Sequence, residues 1–214
     1  VQKKKENLVE TISENIKVKI INGEYFPGER LEEISIQETY SCSRTVSREV
    51  INRLSGDGIV ANSPFKGASI VKLSHEQILN LYDIEELLEG LASRLAAKNR
   101  DPDTIQKLDE NLQQMKLALE NDDIEKCFNH GTEFHSYIFM SSKNDLLVNI
   151  MKKLLLLGSI RNYLFPLAQR QSKSYLEHFN IYEAIRDGDE NRAETLMRNH
   201  IKNGRSKIEN SDIS

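Results

Sequence analysis

The sequence predicts a mainly α-helical protein: an N-terminal winged helix-turn-helix followed by an all-α antiparallel helical bundle. Three observations carry that expectation. Helical spacing and one short β-prone hairpin share the first third of the chain. Beyond Ser74 the β-prone runs stop and apolar residues recur only at helical spacing. The 214 residues, 38% apolar and 29% charged with 10 Gly, 4 Pro and no Trp, suit a soluble, helix-rich chain of one large domain or two small ones.

Leu8, Ile12, Ile16 and Ile20 recur every fourth residue, which places them on one face of a helix ending near Asn22-Gly23. Phe26-Pro27-Gly28 then turns the chain. A second helix is expected over Leu31–Tyr40, with Leu31, Ile34 and Ile36 as its apolar contacts, and Ser41-Cys42-Ser43 breaks it. The third helix turns Val46, Val50, Ile51 and Leu54 inward. Gly56 and Gly58 close it, since glycine accepts the left-handed conformation of a C-cap. Ile59-Val60-Ala61 and Ala68-Ser69-Ile70-Val71 flank a Gly/Pro-containing basic tip, the pattern of a hairpin. Three helices and a hairpin in this order form the winged helix-turn-helix layout, and they divide the chain into residues 1–73 and 74–214.

In the second part Ser74-x-x-Gln77 reads as a capping box opening a helix to about Lys98. Asp101-Pro102 supplies an N-cap and first-turn proline for a helix carrying Ile105, Leu108, Leu112, Met115 and Leu119. Further helices are expected over about 122–140, 144–164 and 172–186, and Asp187-Gly188-Asp189 turns the chain into a last one reaching about Ile208. Short loops between such segments specify antiparallel neighbours in a bundle.

The formal charge is −4, from 29 basic and 33 acidic residues, which argues against a non-specific polyanion binder. The average conceals two parts. Residues 1–73 hold 11 basic and 10 acidic groups, net +1, and the remainder holds 18 and 23, net −5. Within 40–72, Arg44, Arg48, Arg53, Lys66 and Lys72 face only Glu49 and Asp57, a local +3. Cys42 and Cys127 form no CxxC pair, so reduced cytoplasmic thiols are expected rather than a disulfide framework. The apolar cluster Leu154–Leu157 is far shorter than a membrane span, and residues 1–5 are too polar for a signal peptide.

Ser43, Arg44, Thr45, Ser47 and Arg48 are expected on the outward N-terminal face of the third helix. A helix entering the major groove needs this division, because arginine bonds guanine O6 and N7 while hydroxyls bond phosphates. Arg44 and Arg48 lie four residues apart and so reach one groove. Taken alone, two arginines on an amphipathic helix are more often a solvated face; the helix-turn before them and the Lys-bearing hairpin after them favour DNA.

The stretch Gly28-Glu29-Arg30-Leu31, then Ser43-Arg44-Thr45-Val46-Ser47-Arg48-Glu49-Val50-Ile51-x-Arg53-Leu54-x-x-Asp57-Gly58-Ile59-Val60, resembles the GntR family of bacterial transcription regulators. The run Gly67–Val71 matches that family's wing. Val46 and Ser47 depart from the family's Pro-Val, and Ser41 and Cys42 from Gly-Val in the turn. The resemblance implies that Arg44 and Arg48 contact bases or phosphates, that Thr45 contacts phosphate, and that Lys66 and Gly67 face the minor groove. It also implies a homodimer on a pseudo-palindromic operator, which accords with the small surface one recognition helix buries.

His135, His178 and His200 fall on three different predicted helices. Three neutral imidazoles converging in a bundle could ligate Zn, Ni or Mn, although sequence separation alone does not bring them together. Phe134-His135, Ser142-Lys143-Asn144-x-x-Leu147, Glu177-His178 with Ala184-Ile185 and Gly188-Asp189, and Ala193 with His200 resemble the FadR-like C-terminal (FCD) ligand-binding domain. That resemblance implies a divalent metal on His135, His178 and His200 holding a small carboxylate effector. It assigns 1–73 to DNA binding and 74–214 to effector binding and dimerisation.

The family's usual metal-binding Asp falls at Gly131, and His130 lies about 140° round the helix from His135, a poor substitute. Either three histidines keep the metal with an open position, or tight metal binding is lost and the site simply houses ligand. Glu85 replaces a common Arg, which leaves Arg161 and Arg94 as candidate partners for an effector carboxylate. The expectation is therefore a cytoplasmic transcription regulator, most readily a repressor, with double-stranded DNA and a small molecule as partners and no enzymatic activity. Its rivals are a metal-dependent hydrolase on the three histidines and an effector-independent DNA-bridging protein.

Overall fold

The computed structural model describes the backbone of residues 2–63, 67–162 and 171–210, and the side chains of 5–63, 67–160 and 173–210. Its described elements are, in order, α1 (Gln2–Ile21), α2 (Glu33–Tyr40), α3 (Arg44–Gly56), β1 (Val60–Ser63), β2 (Gly67–Ile70), α4 (His75–Asn99), α5 (Pro102–Glu120), α6 (Ile124–Met140), α7 (Asp145–Asn162), α8 (Gln171–Asp187) and α9 (Glu190–Glu209). No described helix is long and apolar enough to cross a membrane. The chain divides into two compact units. The first runs to Ser74 and also takes in the second half of α7, from Leu155; the second holds the other helices.

The first unit is a winged helix-turn-helix. Ile12, Ile16 and Ile20 of α1 pack with Leu31, Ile36, Val46, Val50, Ile51, Leu54 and the wing residues Val60, Ala68 and Ile70. Two expectations need correction. Leu8 is 40% exposed and Val9 is buried in its place. Four residues turn a helix about 40° past a full turn, so a strict fourth-residue row drifts off the core. Ile34 is also exposed. It stands two residues from the buried Ile36, about 200° round the helix, so one core cannot hold both.

Ser41 ends α2 in the left-handed conformation, φ 48°, which costs a residue bearing a Cβ roughly 1–2 kcal/mol. The turn geometry thus survives without glycine. Ser43 caps α3, its Oγ accepting from the Val46 N–H. In the wing β1 pairs antiparallel with β2, from Val60↔Ile70 to Ser63↔Gly67. The segment after Pro27 joins them, with Gly28 N–H donating to the Ile70 carbonyl and Leu31 N–H to that of Ala68, each at 2.9 Å. Lys66, at the tip, lies outside the described residues.

Leu156 and Ile160 of α7 are buried in this same first core. A division after residue 73 does not provide for them. Their helical spacing is that of any amphipathic helix, and periodicity does not say which core an apolar face fills.

In the second unit α4 lies along α9, where Gly90 allows close approach: a Cβ there would meet Arg198 Cγ at 2.6 Å. Aspartates cap three helices, Asp101 accepting from Thr104 N–H, Asp123 from Lys126 N–H and Asp189 from Arg192 N–H. Asn144 receives the Leu147 N–H at 3.1 Å while Leu147 itself is buried, which gives the Asn-x-x-Leu spacing its reason.

Candidate metal centre and nucleic-acid interface

His135 of α6, His178 of α8 and His200 of α9 converge inside the second unit. His178 Nε2 lies 3.3 Å from His135 Nε2 and 3.2 Å from His200 Nε2. Ligands about 2.0–2.1 Å from one metal at a tetrahedral angle sit roughly 3.3 Å apart, so this spacing suits a shared ion.

The outer nitrogens are directed by carboxylates. His200 Nδ1 donates to Glu177 at 2.7 Å, and Asn203 Nδ2 donates to the other Glu177 oxygen at 2.8 Å. His135 Nδ1 bonds Glu89 of α4. Carboxylate pairing at Nδ1 fixes the tautomer that leaves the Nε2 lone pair facing inward, the arrangement found around metal-ligating histidines. Phe134 stacks on His178 at 4.6 Å between centroids and walls its ring, while His178 Nδ1 is buried without a hydrogen-bond partner.

Burial holds the His178 imidazole well below the ordinary histidine range, and the neighbouring His200 and His135 push it further. Burial also lowers His200, against the opposing pull of Glu177. Burial is the largest single influence on Glu177 and works to raise it, but the bond and charge attraction of His200, the Asn203 bond and the Lys173 charge together outweigh it and hold the carboxyl low. His178 and His200 are thus held neutral, with an ionised Glu177 carboxylate behind His200, the protonation state that metal binding requires.

Gly131 leaves room beside this cluster. A Cβ there would lie 3.5 Å from His178 Cε1 and 3.8 Å from Met115 Cε, ordinary contact distances. His130 does not replace the missing carboxylate; its Nδ1 faces Glu133 at 3.2 Å. Arg94 is engaged elsewhere, paired with Glu194 at 3.5 Å beside the Arg198–Glu86 pair of the α4–α9 seam. The Arg161 side chain lies outside the described residues, and Glu85 is buried.

On α3, Arg44, Thr45 and Arg48 are exposed at the helix N-terminus, and Gly67 is exposed at the start of β2. Ser47 corrects the sequence reading. It is fully buried beside Val46, and its Oγ donates to the Arg44 carbonyl at 3.0 Å, so it faces the core rather than the groove. The sequence reading also missed the structural partners of His135 and His200. Glu89 carries no local signal, whereas Glu177 adjoins His178, and Asn203 follows His200 by three residues on one helix face.

Residues 80–203 match the model of the FCD domain, and residues 8–70 that of the bacterial regulatory proteins of the gntR family. The chain belongs to the GntR family of bacterial transcription regulators. Among GntR-type relatives, it is 27% identical over 209 residues to the HTH-type transcriptional regulator LutR of Bacillus subtilis, covering 86% of this chain and 93% of LutR. It is 23% identical over 177 residues to the transcriptional repressor RspR of Escherichia coli, covering 82% and 78%. In fold it is similar to Escherichia coli McbR, with a TM-score of 0.80 at 20% identity over 94% of this chain and 97% of that one. The family and these relatives are transcriptional regulators rather than enzymes; GntR regulators bind DNA and FCD domains bind small-molecule effectors.

Proposed function

We propose that this GntR-family regulator is a homodimeric repressor whose operator affinity is set by a small carboxylate effector bound at a divalent metal on His135, His178 and His200. The convergence of three Nε2 atoms, two of whose rings are backed by Glu177 and Glu89, carries the reading. A bound metal would supply Lewis acidity for holding a carboxylate. The protein's own residues do the rest. Glu177 and Asn203 orient His200, Glu89 orients His135, and Phe134 fixes the His178 ring. Space at Gly131 favours an exogenous oxygen ligand where a side-chain carboxylate would otherwise stand.

In the reader, Arg44 and Arg48 meet base edges or phosphates, Thr45 meets phosphate, and Lys66 and Gly67 approach the minor groove. Two half-sites bound by paired subunits supply the specificity one short helix lacks. Effector acts on operator affinity only through a difference in its affinity for the DNA-competent and incompetent states.

Metal analysis of protein purified with zinc or nickel supplementation tests the centre. About one ion per chain is expected, lost in His178→Ala, with affinity reduced about 10- to 100-fold in Glu177→Gln. Metal content near zero in the unaltered protein would overturn the metal-bound reading and leave a bundle that houses ligand alone.

A further inference from the structure

We infer that Glu33 is the positioning residue of the DNA-reading surface, holding both recognition arginines in one orientation. The inference rests on the reading of α3 as the groove-entering helix. Glu33 opens α2, where it packs beside α3. One carboxylate oxygen accepts the Arg48 Nε–H at 2.9 Å and the other accepts the Arg44 Nε–H at 3.2 Å. A single short side chain thus spans two guanidinium groups one helical turn apart.

The choice of nitrogen matters. Arginine carries five N–H donors in a planar fork, and Glu33 takes one from each. Both terminal nitrogens of Arg44 and Arg48 remain, on side chains 70% and 57% exposed. An arginine held at Nε presents its two Nη groups end-on, the pair that can meet guanine O6 and N7 together. Without the carboxylate, each long side chain samples many rotamers, and that freedom must be lost on binding. The hydrogen bond from Arg48 is the main cause holding the Glu33 carboxyl below its ordinary range, with Arg44 adding to it, so it stays charged.

A carboxylate in this position also opposes phosphate. It lowers the attraction of the arginines for any duplex while fixing their geometry for the right one. Glu33 therefore exchanges non-specific affinity for discrimination, which distinguishes it from a residue that merely supports α2.

The test compares full-length protein with Glu33→Gln, which keeps shape and removes charge. A duplex pool with a random core is first used to select sequences bound by the unaltered protein. Affinities are then measured for the selected duplex and for a scrambled duplex of equal length. In Glu33→Gln the ratio of the two is expected to fall about tenfold, the size of one good bidentate base contact. Binding to the scrambled duplex should tighten about two- to fivefold, as expected for removal of one exposed charge. The fall should shrink when the same change is made in an Arg44→Ala background, because the shared interaction is then half gone.

An unchanged ratio in Glu33→Gln, or an equal fall in the Arg44→Ala background, would overturn the positioning role. Weakened binding to both duplexes alike, with a lowered melting temperature, would mark Glu33 as structural and overturn it too. If the unaltered protein selects no sequence at all, the recognition-helix reading itself fails and this inference falls with it.

Discussion

Burial governs the chemistry at His178. Its ring is enclosed by Phe134, His135 and His200, and loss of water disfavours the charged form. The folded pKa therefore lies below the unfolded value, and below about pH 6.5 the unfolded chain binds a proton that the folded chain refuses. This contribution to stability is fully present above that pH and is lost as pH falls toward the folded value. For metal-stripped protein, the melting temperature should drop as pH falls below about 6.5, and His178→Gln should flatten the decline. An identical slope in the variant would place the titration elsewhere. Ser47 makes the complementary point at the same scale. Hydroxyl chemistry suggested a phosphate contact, but a helix surface allots each position by angle, and Ser47 falls on the arc of Val46 and Val50. Its hydroxyl finds a backbone carbonyl instead.

Among the elements, the caps, turns and strands follow local rules that the sequence states openly. Asp101 before Pro102 begins α5, and Gly188, at φ 75°, precedes the Asp189 cap of α9. The start of α2 and the inward face of α1 were less legible, because a short amphipathic segment tolerates several rotations until a neighbour selects one. α7 is the strongest case. Its Leu156 and Ile160 complete the core of the winged helix-turn-helix, far away in sequence from the rest of that core. Ile160→Ala, which empties a fully buried site, should destabilise the first unit by about 2–5 kcal/mol in denaturant unfolding. Leu146→Ala on the same helix, 77% exposed, should stay within about 0.5 kcal/mol. Equal losses in both would show that burial in this core does not set the difference.

For the whole molecule, the charge of −4 is a poor guide because it averages a reader of net +1 and a bundle of net −5. DNA responds to the local field, screened within about 8–10 Å at ordinary salt, so the charge summed over the whole chain does not set the attraction of the α3 arginines for a duplex. Operator binding should therefore weaken steeply with salt, with a log–log slope of about −0.9 for each phosphate neutralised. Arg48→Ala should abolish selective binding while leaving the melting temperature unchanged. A salt-independent affinity would contradict a phosphate-anchored interface, and intact selectivity in the variant would remove Arg48 from it.

The sequence by itself determined the order of elements, the winged helix-turn-helix, the helical bundle and the family, since these follow from periodicity, caps and motifs spaced along the chain. It also named His135, His178 and His200. Only the tertiary structure decided that their Nε2 atoms meet, that Glu89 and Glu177 stand behind them, and that Glu33 joins Arg44 to Arg48. The physical reason is common to all three. Local patterns fix which face of an element turns inward, whereas contacts between elements distant in sequence depend on how those faces pack, and no spacing along the chain encodes that distance.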